Sequence, residues 1–490
     1  MGEAEALDQR EAPFWDGLLA YIGSDAQPFS TPGHKRGRGA PADARAIFQA
    51  LFDADIPHGG GVDTTQRSFD YLRRAERLAA AAHGGDDARF LVNGSTTGNL
   101  ALLLTTCGDG DEVIVSRMLH KSVLAGIIFS GARPVYVVPE IDPQHNLPLD
   151  VPPQAVAAAL EAHPQARAVV LVSPSYVGIS SNLPEIAALC HAAGVPLLVD
   201  EAWGPHFRFH PALPPSAMQA GADAGVSSTH KMLSALTQGS TLVARRGLLD
   251  LERLGTMVDM VQTTSPSALI FASLDASRRQ MALHGEELLT HTLAVAARLR
   301  DALQEIDGLQ VLGDTLLAGR PGVGWDPTRV FVDVHQLGLT GHEAEAVLRS
   351  EHGVYVEMSD LLGVELLVTI GDDEATIERA VRGFRGLLRH RKPVRRSAAM
   401  RSTGSLLFSA EQAISPREAH QARWETVAIG AAAGRISTEA LTPYPPGIPL
   451  VAPGERLSRA IIEYLHEGVA EGMHITGPSD PTLETLRVVA

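Results

Sequence analysis

Lysine is nearly missing from this chain of 490 residues: of 41 basic residues, only Lys35, Lys121, Lys231 and Lys392 are lysine, which leaves 37 arginines. Arginine serves wherever a positive charge suffices, so each lysine raises the question of why a primary amine was kept. Cysteine is scarcer still. Cys107 and Cys190 sit in apolar runs, too few for a disulfide framework or a zinc site, and read as reduced core residues. A basic excess is also lacking: the formal charge is −16, which argues against nucleic acid as the main partner. No apolar run reaches the roughly 18–20 residues of a membrane span. The start "MGEAEALDQREAPFW" has neither the basic nor the apolar region of a signal peptide. These absences lead us to expect a cytoplasmic protein with no metal site, no nucleic-acid partner and no membrane partner.

What the chain does contain is alternation. The runs "DEVIVS" (111–116), "RPVYVV" (133–138), "ARAVVLVS" (166–173), "VPLLVDE" (195–201) and "STLVARR" (240–246) read as strands. Helical spacing fills 121–132, 152–163 and 183–194 between them. Buried strands separated by helices of this length imply α/β winding around a large, mostly parallel sheet. The segment 266–306 reads as one long helix. A second α/β pattern follows, with strands at 328–334, 354–360 and 365–370 and helices near 341–351 and 372–389. The expected divisions are an N-terminal segment (1–60), a large domain (61–285), a small α/β domain (286–392), a basic linker (393–405) and a C-terminal domain (406–490).

Four stretches bear chemistry. In "LVNGSTTGNL" (91–100) small hydroxyl residues precede an apolar run, so backbone N–H groups at a helix start, with Ser95 and Thr96, suit a phosphate; a plain Ser/Thr N-cap reads the same way. In "LLVDEAWGPHF" (197–207) Asp200 ends an apolar strand, where α/β proteins place ligand groups or cap the next helix. Glu201 points the other way along a strand, so the two acids do not form one dyad. In "SRMLHKSV" (116–123) His120 offers a flat ring for stacking, or is a structural histidine. In "SSTHKML" Lys231 follows Asp200 after room for a helix and a strand, and its amine, unlike a guanidinium, is a nucleophile once deprotonated. A phosphate cradle, a stacking ring, a buried acid and a nucleophilic amine together suit pyridoxal 5'-phosphate.

The motifs "TPGHKRG" (31–37), "NGSTTGN" (93–99), "HKSV" (120–123), "SPSYVGISSNL" (173–183), "VDEAWGPHF" (199–207), "STHKMLSALTQGS" (228–240), "VEMSD" (356–360) and "PYPPGIPLVAPGE" (443–455) carry a resemblance. The chain resembles the ornithine/lysine/arginine decarboxylases of the aspartate-aminotransferase fold (fold type I), in a short form without the N-terminal wing domain. The resemblance implies decarboxylation of arginine, ornithine or lysine to an amine, in a homodimer, with polyamine synthesis as one setting. It implies that Lys231 holds the cofactor, that Asp200 pairs with the pyridine nitrogen, and that Ala202 and His120 face the two sides of the ring. Ser95, Thr96, Thr97 and Ser228 would contact the phosphate, with His230 beside it; either Lys231 or His230 would return a proton to Cα. Glu357 and Glu439 are candidates for the distal group of a basic substrate. Trp203 departs from the pattern, since many short relatives carry histidine there, and so does the segment 54–72. An aminotransferase or another lyase on the same frame is the alternative, and a non-catalytic cofactor-binding partner the second.

Overall fold

The computed structural model describes residues 7–56, 70–145, 147–394, 410–443 and 447–490. Most of segment 54–72, most of linker 393–405 and part of the motif 443–455 lie outside the described residues. The chain forms two units, one from Met1–Thr105 and Leu198–Leu289, the other from Thr106–Leu197 and Thr290–Ala490.

In the first unit, strand Asp87–Leu91 pairs antiparallel with Ser240–Ala244, placing Phe90 opposite Thr241. Ser240–Ala244 pairs antiparallel with Ala224–Ser227. That strand in turn runs parallel to Leu197–Asp200, with Asp200 opposite Val226. Ser240–Ala244, Ala224–Ser227 and Leu197–Asp200 are buried along their length, which is why "LLVD" and "STLVA" read as apolar runs rather than as alternation. Helix Ser95–Thr106 crosses them so closely that a Cβ on Gly98 would stand 2.6 Å from Val226 Cγ1 and 3.0 Å from Leu91 Cδ1. Gly98→Ala is therefore expected to cost about 1–3 kcal/mol through overpacking, read as a lowered Tm; an unchanged Tm would show that the helix has room to move.

The second unit holds strands Arg133–Val137, Glu112–Ser116 and Val169–Val172, paired in parallel. The fold is α/β with a large, mostly parallel sheet, as expected. A separate antiparallel sheet of Met358–Ser359, Gly363–Leu367, Arg329–Asp333 and Gln310–Val311 accompanies helices Gly341–His352 and Glu374–Leu387. Val330, Val332, Val364, Leu348 and Phe384 share its core. A further core of Leu441, Leu450, Val451, Leu457, Ile461, Leu465 and Val488 supports the C-terminal segment around helix Arg459–Ala470.

The long helix runs Ala268–Gln304, close to its expected span. Two expectations change. The strand expected at 354–360 shortens to Met358–Ser359, because Tyr355 and Glu357 lie on an exposed face. No α-helix separates Asp200 from the next strand: Pro211, Pro214 and Pro215 interrupt the segment, which holds only a 3-10 turn at Phe207–Phe209. Among the described residues no helix is long and apolar enough to cross a membrane.

Candidate active site

Most of the sequence-derived residues gather at strand ends of the first unit. Asp200 closes its strand with only 3% of its surface exposed. Oδ2 accepts a 2.7 Å hydrogen bond from Asn99 Nδ2, and Oδ1 accepts one from the Ala202 N–H at 3.2 Å. Both partners are neutral, and Asp200 makes no ion pair among the described residues. A buried carboxylate without a cation fits a ligand that brings its own positive charge, such as a protonated pyridine nitrogen.

At the start of helix Ser95–Thr106, Gly94 adopts a left-handed φ of 75° and donates its N–H to Gln238 O at 2.9 Å. Ser95 and Thr97 are buried, while Thr96 is exposed. Ser228 Oγ donates to Ser95 Oγ at 3.1 Å, so a hydroxyl from the Ser228 turn meets the hydroxyl at the positive end of a twelve-residue helix. Helix-start N–H groups with converging hydroxyls suit a phosphate.

The turn after Ala224–Ser227 carries the amine. Lys231 sits in helix Thr229–Met232, its N–H donating to Ser228 O at 3.0 Å. Its Nζ lies 3.5 Å from the centroid of the Trp203 ring, which makes the tryptophan a direct neighbour of the amine. His230 donates both its backbone N–H (3.1 Å) and Nδ1–H (2.9 Å) to Gly239 O. Because Nδ1 faces a carbonyl, the proton resides there and Nε2 is the acceptor. Burial holds this imidazole below its ordinary pKa, and the neighbouring Lys231 charge acts in the same direction.

Glu201 faces away from this cluster. Its Oε1 accepts the Ala217 N–H at 2.6 Å, and burial pushes the carboxyl up to about 8. The unfolded chain releases this proton near pH 4.5 and the folded chain holds it until about 8, so folding is progressively penalised across that window and fully so above it. Glu201→Gln is expected to lie close to wild type at pH 5 and to unfold at a higher temperature at pH 8.5, where the relieved penalty is on the order of 5 kcal/mol. An equal or lower Tm at pH 8.5 would contradict the burial argument.

His120, Glu357 and Glu439 belong to the second unit. His120 caps helix Lys121–Ser130: its Nδ1 accepts the Ser122 N–H at 3.3 Å and lies 2.8 Å from Ser122 Oγ. Glu357 is exposed, with its N–H donating to Glu365 O at 2.9 Å. Glu439 is buried, and its oxygens accept the Ser479 N–H (2.7 Å) and the Arg487 N–H (2.9 Å). Neither Asn99 nor Gln238 is marked as functional by residue type or spacing alone. Asn99 carried a signal all the same, being the last residue of "NGSTTGN", one helical turn after Ser95.

Comparison with known proteins gives the family of the chain. Residues 12–376 match the Orn/Lys/Arg decarboxylase major domain and residues 398–476 the C-terminal domain of the same family. The chain is 38% identical over 489 residues to an arginine decarboxylase of Halalkalibacterium halodurans, covering 98% of both. It is 26% identical to a lysine decarboxylase of Pseudomonas aeruginosa, covering 92% of this chain and 75% of that one. The solved structure of lysine decarboxylase A from Pseudomonas aeruginosa superposes with a TM-score of 0.81 at 24% identity, over 98% of this chain and 80% of that one. The chain belongs to the ornithine/lysine/arginine decarboxylase family and is a decarboxylase built on the fold type I frame.

Proposed function

We propose that this chain is a pyridoxal-phosphate-dependent arginine decarboxylase, which releases carbon dioxide from arginine and leaves agmatine. The observation that carries the substrate is the 38% identity to an arginine decarboxylase along nearly the whole of both chains, against 26% to a lysine decarboxylase. A homodimer is the smallest assembly we propose.

The bound cofactor supplies an electron sink at the substrate's Cα. The chain's own residues bind and tune it. Ser95, Thr96, Thr97 and Ser228 would hold the phosphate, and Lys231 would hold the cofactor covalently through Nζ. Asp200 keeps a proton on the ring nitrogen, because a buried carboxylate facing only neutral donors is stabilised by that charge. Ala202 and His120 are the residues that would face the ring. Of Lys231 and His230, Lys231 is the better proton donor: His230 commits its Nδ1–H to Gly239 O, and burial lowers its pKa, so Nε2 is disposed to accept a proton rather than to donate one. Glu357 is the better candidate for the distal group of the substrate, since both oxygens of Glu439 serve backbone amides.

The test is to incubate cofactor-loaded protein separately with arginine, ornithine and lysine and identify the products by mass. Agmatine and carbon dioxide from arginine are expected. Preference for lysine or ornithine would overturn the substrate, and a keto acid would overturn the reaction proposed here.

A further inference from the structure

The motif "PYPPGIPLVAPGE" has no part in the site described above, yet one arginine of the second unit is devoted to it. Arg117 follows strand Glu112–Ser116 and is 3% exposed. Its Nη1 donates to Pro449 O at 2.6 Å, and its Nη2 donates to Leu450 O at 3.2 Å and to Glu455 Oε2 at 3.0 Å. Glu455, fully buried, also accepts the Ala452 N–H at 2.7 Å on the same oxygen, which closes the loop on itself. The guanidinium stands 5.1 Å from the centroid of the Tyr136 ring on the adjacent strand. Its own backbone is fixed too: the Arg117 N–H donates to Val137 O at 2.8 Å, and the Met118 N–H to Ser116 Oγ at 3.2 Å. Three residues beyond Arg117 stands His120, capping the next helix.

A buried ion pair is an expensive way to hold a loop, because desolvating both charges offsets most of their attraction and an apolar pair of the same volume often does as well. What a guanidinium adds is direction, a planar fork that meets three acceptors at once. The geometry points to Arg117 as a positioning residue. It locks the loop 449–455 of the C-terminal family domain against the turn 117–120, and through that turn sets the plane of the His120 ring. The C-terminal domain thereby takes part in the reaction without supplying a reacting group. This inference rests on His120 facing the cofactor ring, as proposed above.

The experiment uses full-length, cofactor-loaded Arg117→Lys, Glu455→Gln and His120→Ala proteins. Arg117→Lys keeps the charge but loses the fork. It is expected to retain its far-UV circular dichroism and its cofactor on Lys231, to lose kcat by about tenfold or more, and to weaken the visible circular dichroism of the bound cofactor. That last signal reports the asymmetry around the ring and does not follow from lost stability alone. Glu455→Gln keeps both carbonyl contacts and is expected to move both readouts the same way, by less; it decides alone if Arg117→Lys does not fold. Wild-type kcat and visible signal in these variants, with both lost in His120→Ala, would overturn the inference and leave the His120 reading standing. Wild-type values in His120→Ala would overturn both.

Discussion

Lys231→Arg keeps a positive charge beside Trp203 and is expected to abolish decarboxylation, with turnover falling on the order of 1000-fold or more. A guanidinium stays protonated at every pH the protein survives and cannot form the covalent link that an amine forms. The variant should fold normally, since Nζ is half-buried over an indole face and no buried charge is left unpaired by the exchange. The expected signature is loss of the visible absorbance of the linked cofactor together with loss of amine product. Full turnover by Lys231→Arg would remove the basis of the whole site. The scarcity of lysine sharpens this test, because only three other lysines exist to take over the role.

Asp200→Asn has the second-largest expected effect. An amide presents one oxygen where the carboxylate presents two, yet Asp200 accepts from both Asn99 Nδ2 and the Ala202 N–H. One of these donors is left facing an NH2 group, at a cost of about 1–3 kcal/mol to the fold. The larger consequence is chemical. A neutral amide does not keep a proton on the ring nitrogen, so the electron sink weakens and kcat should fall by roughly 100-fold or more, equivalent to about 2.7 kcal/mol. Cofactor should remain attached, because Ser95, Ser228 and Lys231 are untouched. Near-normal kcat in a folded Asp200→Asn protein would contradict the pairing.

Sequence legibility followed the source of each signal. Strands such as Glu112–Ser116 and Leu197–Asp200 were readable because burial on both faces leaves uninterrupted branched apolar runs. Ala224–Ser227, "AGVS", carries no such run. Its small residues answer a packing demand instead, since a Cβ at Gly225 would stand 2.9 Å from Ala217 Cβ. Asp200 stood out as an acid ending an apolar strand, whereas its partner Asn99 lies inside a helix whose crossing of the sheet no local pattern reveals. Lys231 was visible through composition, and His120 gained meaning only beside the family motifs. The tautomer of His230 and the clamp on Arg117 depend on carbonyls 9 and more than 300 residues away in the chain. Spacing along the sequence holds no record of such contacts.

The most direct measurement is to reduce the cofactor-loaded protein with borohydride, digest it and map the modified lysine by mass. A single phosphopyridoxyl group is expected, on Lys231 in the peptide containing "SSTHKML". Modification at Lys35, Lys121 or Lys392 with Lys231 unmodified would contradict it.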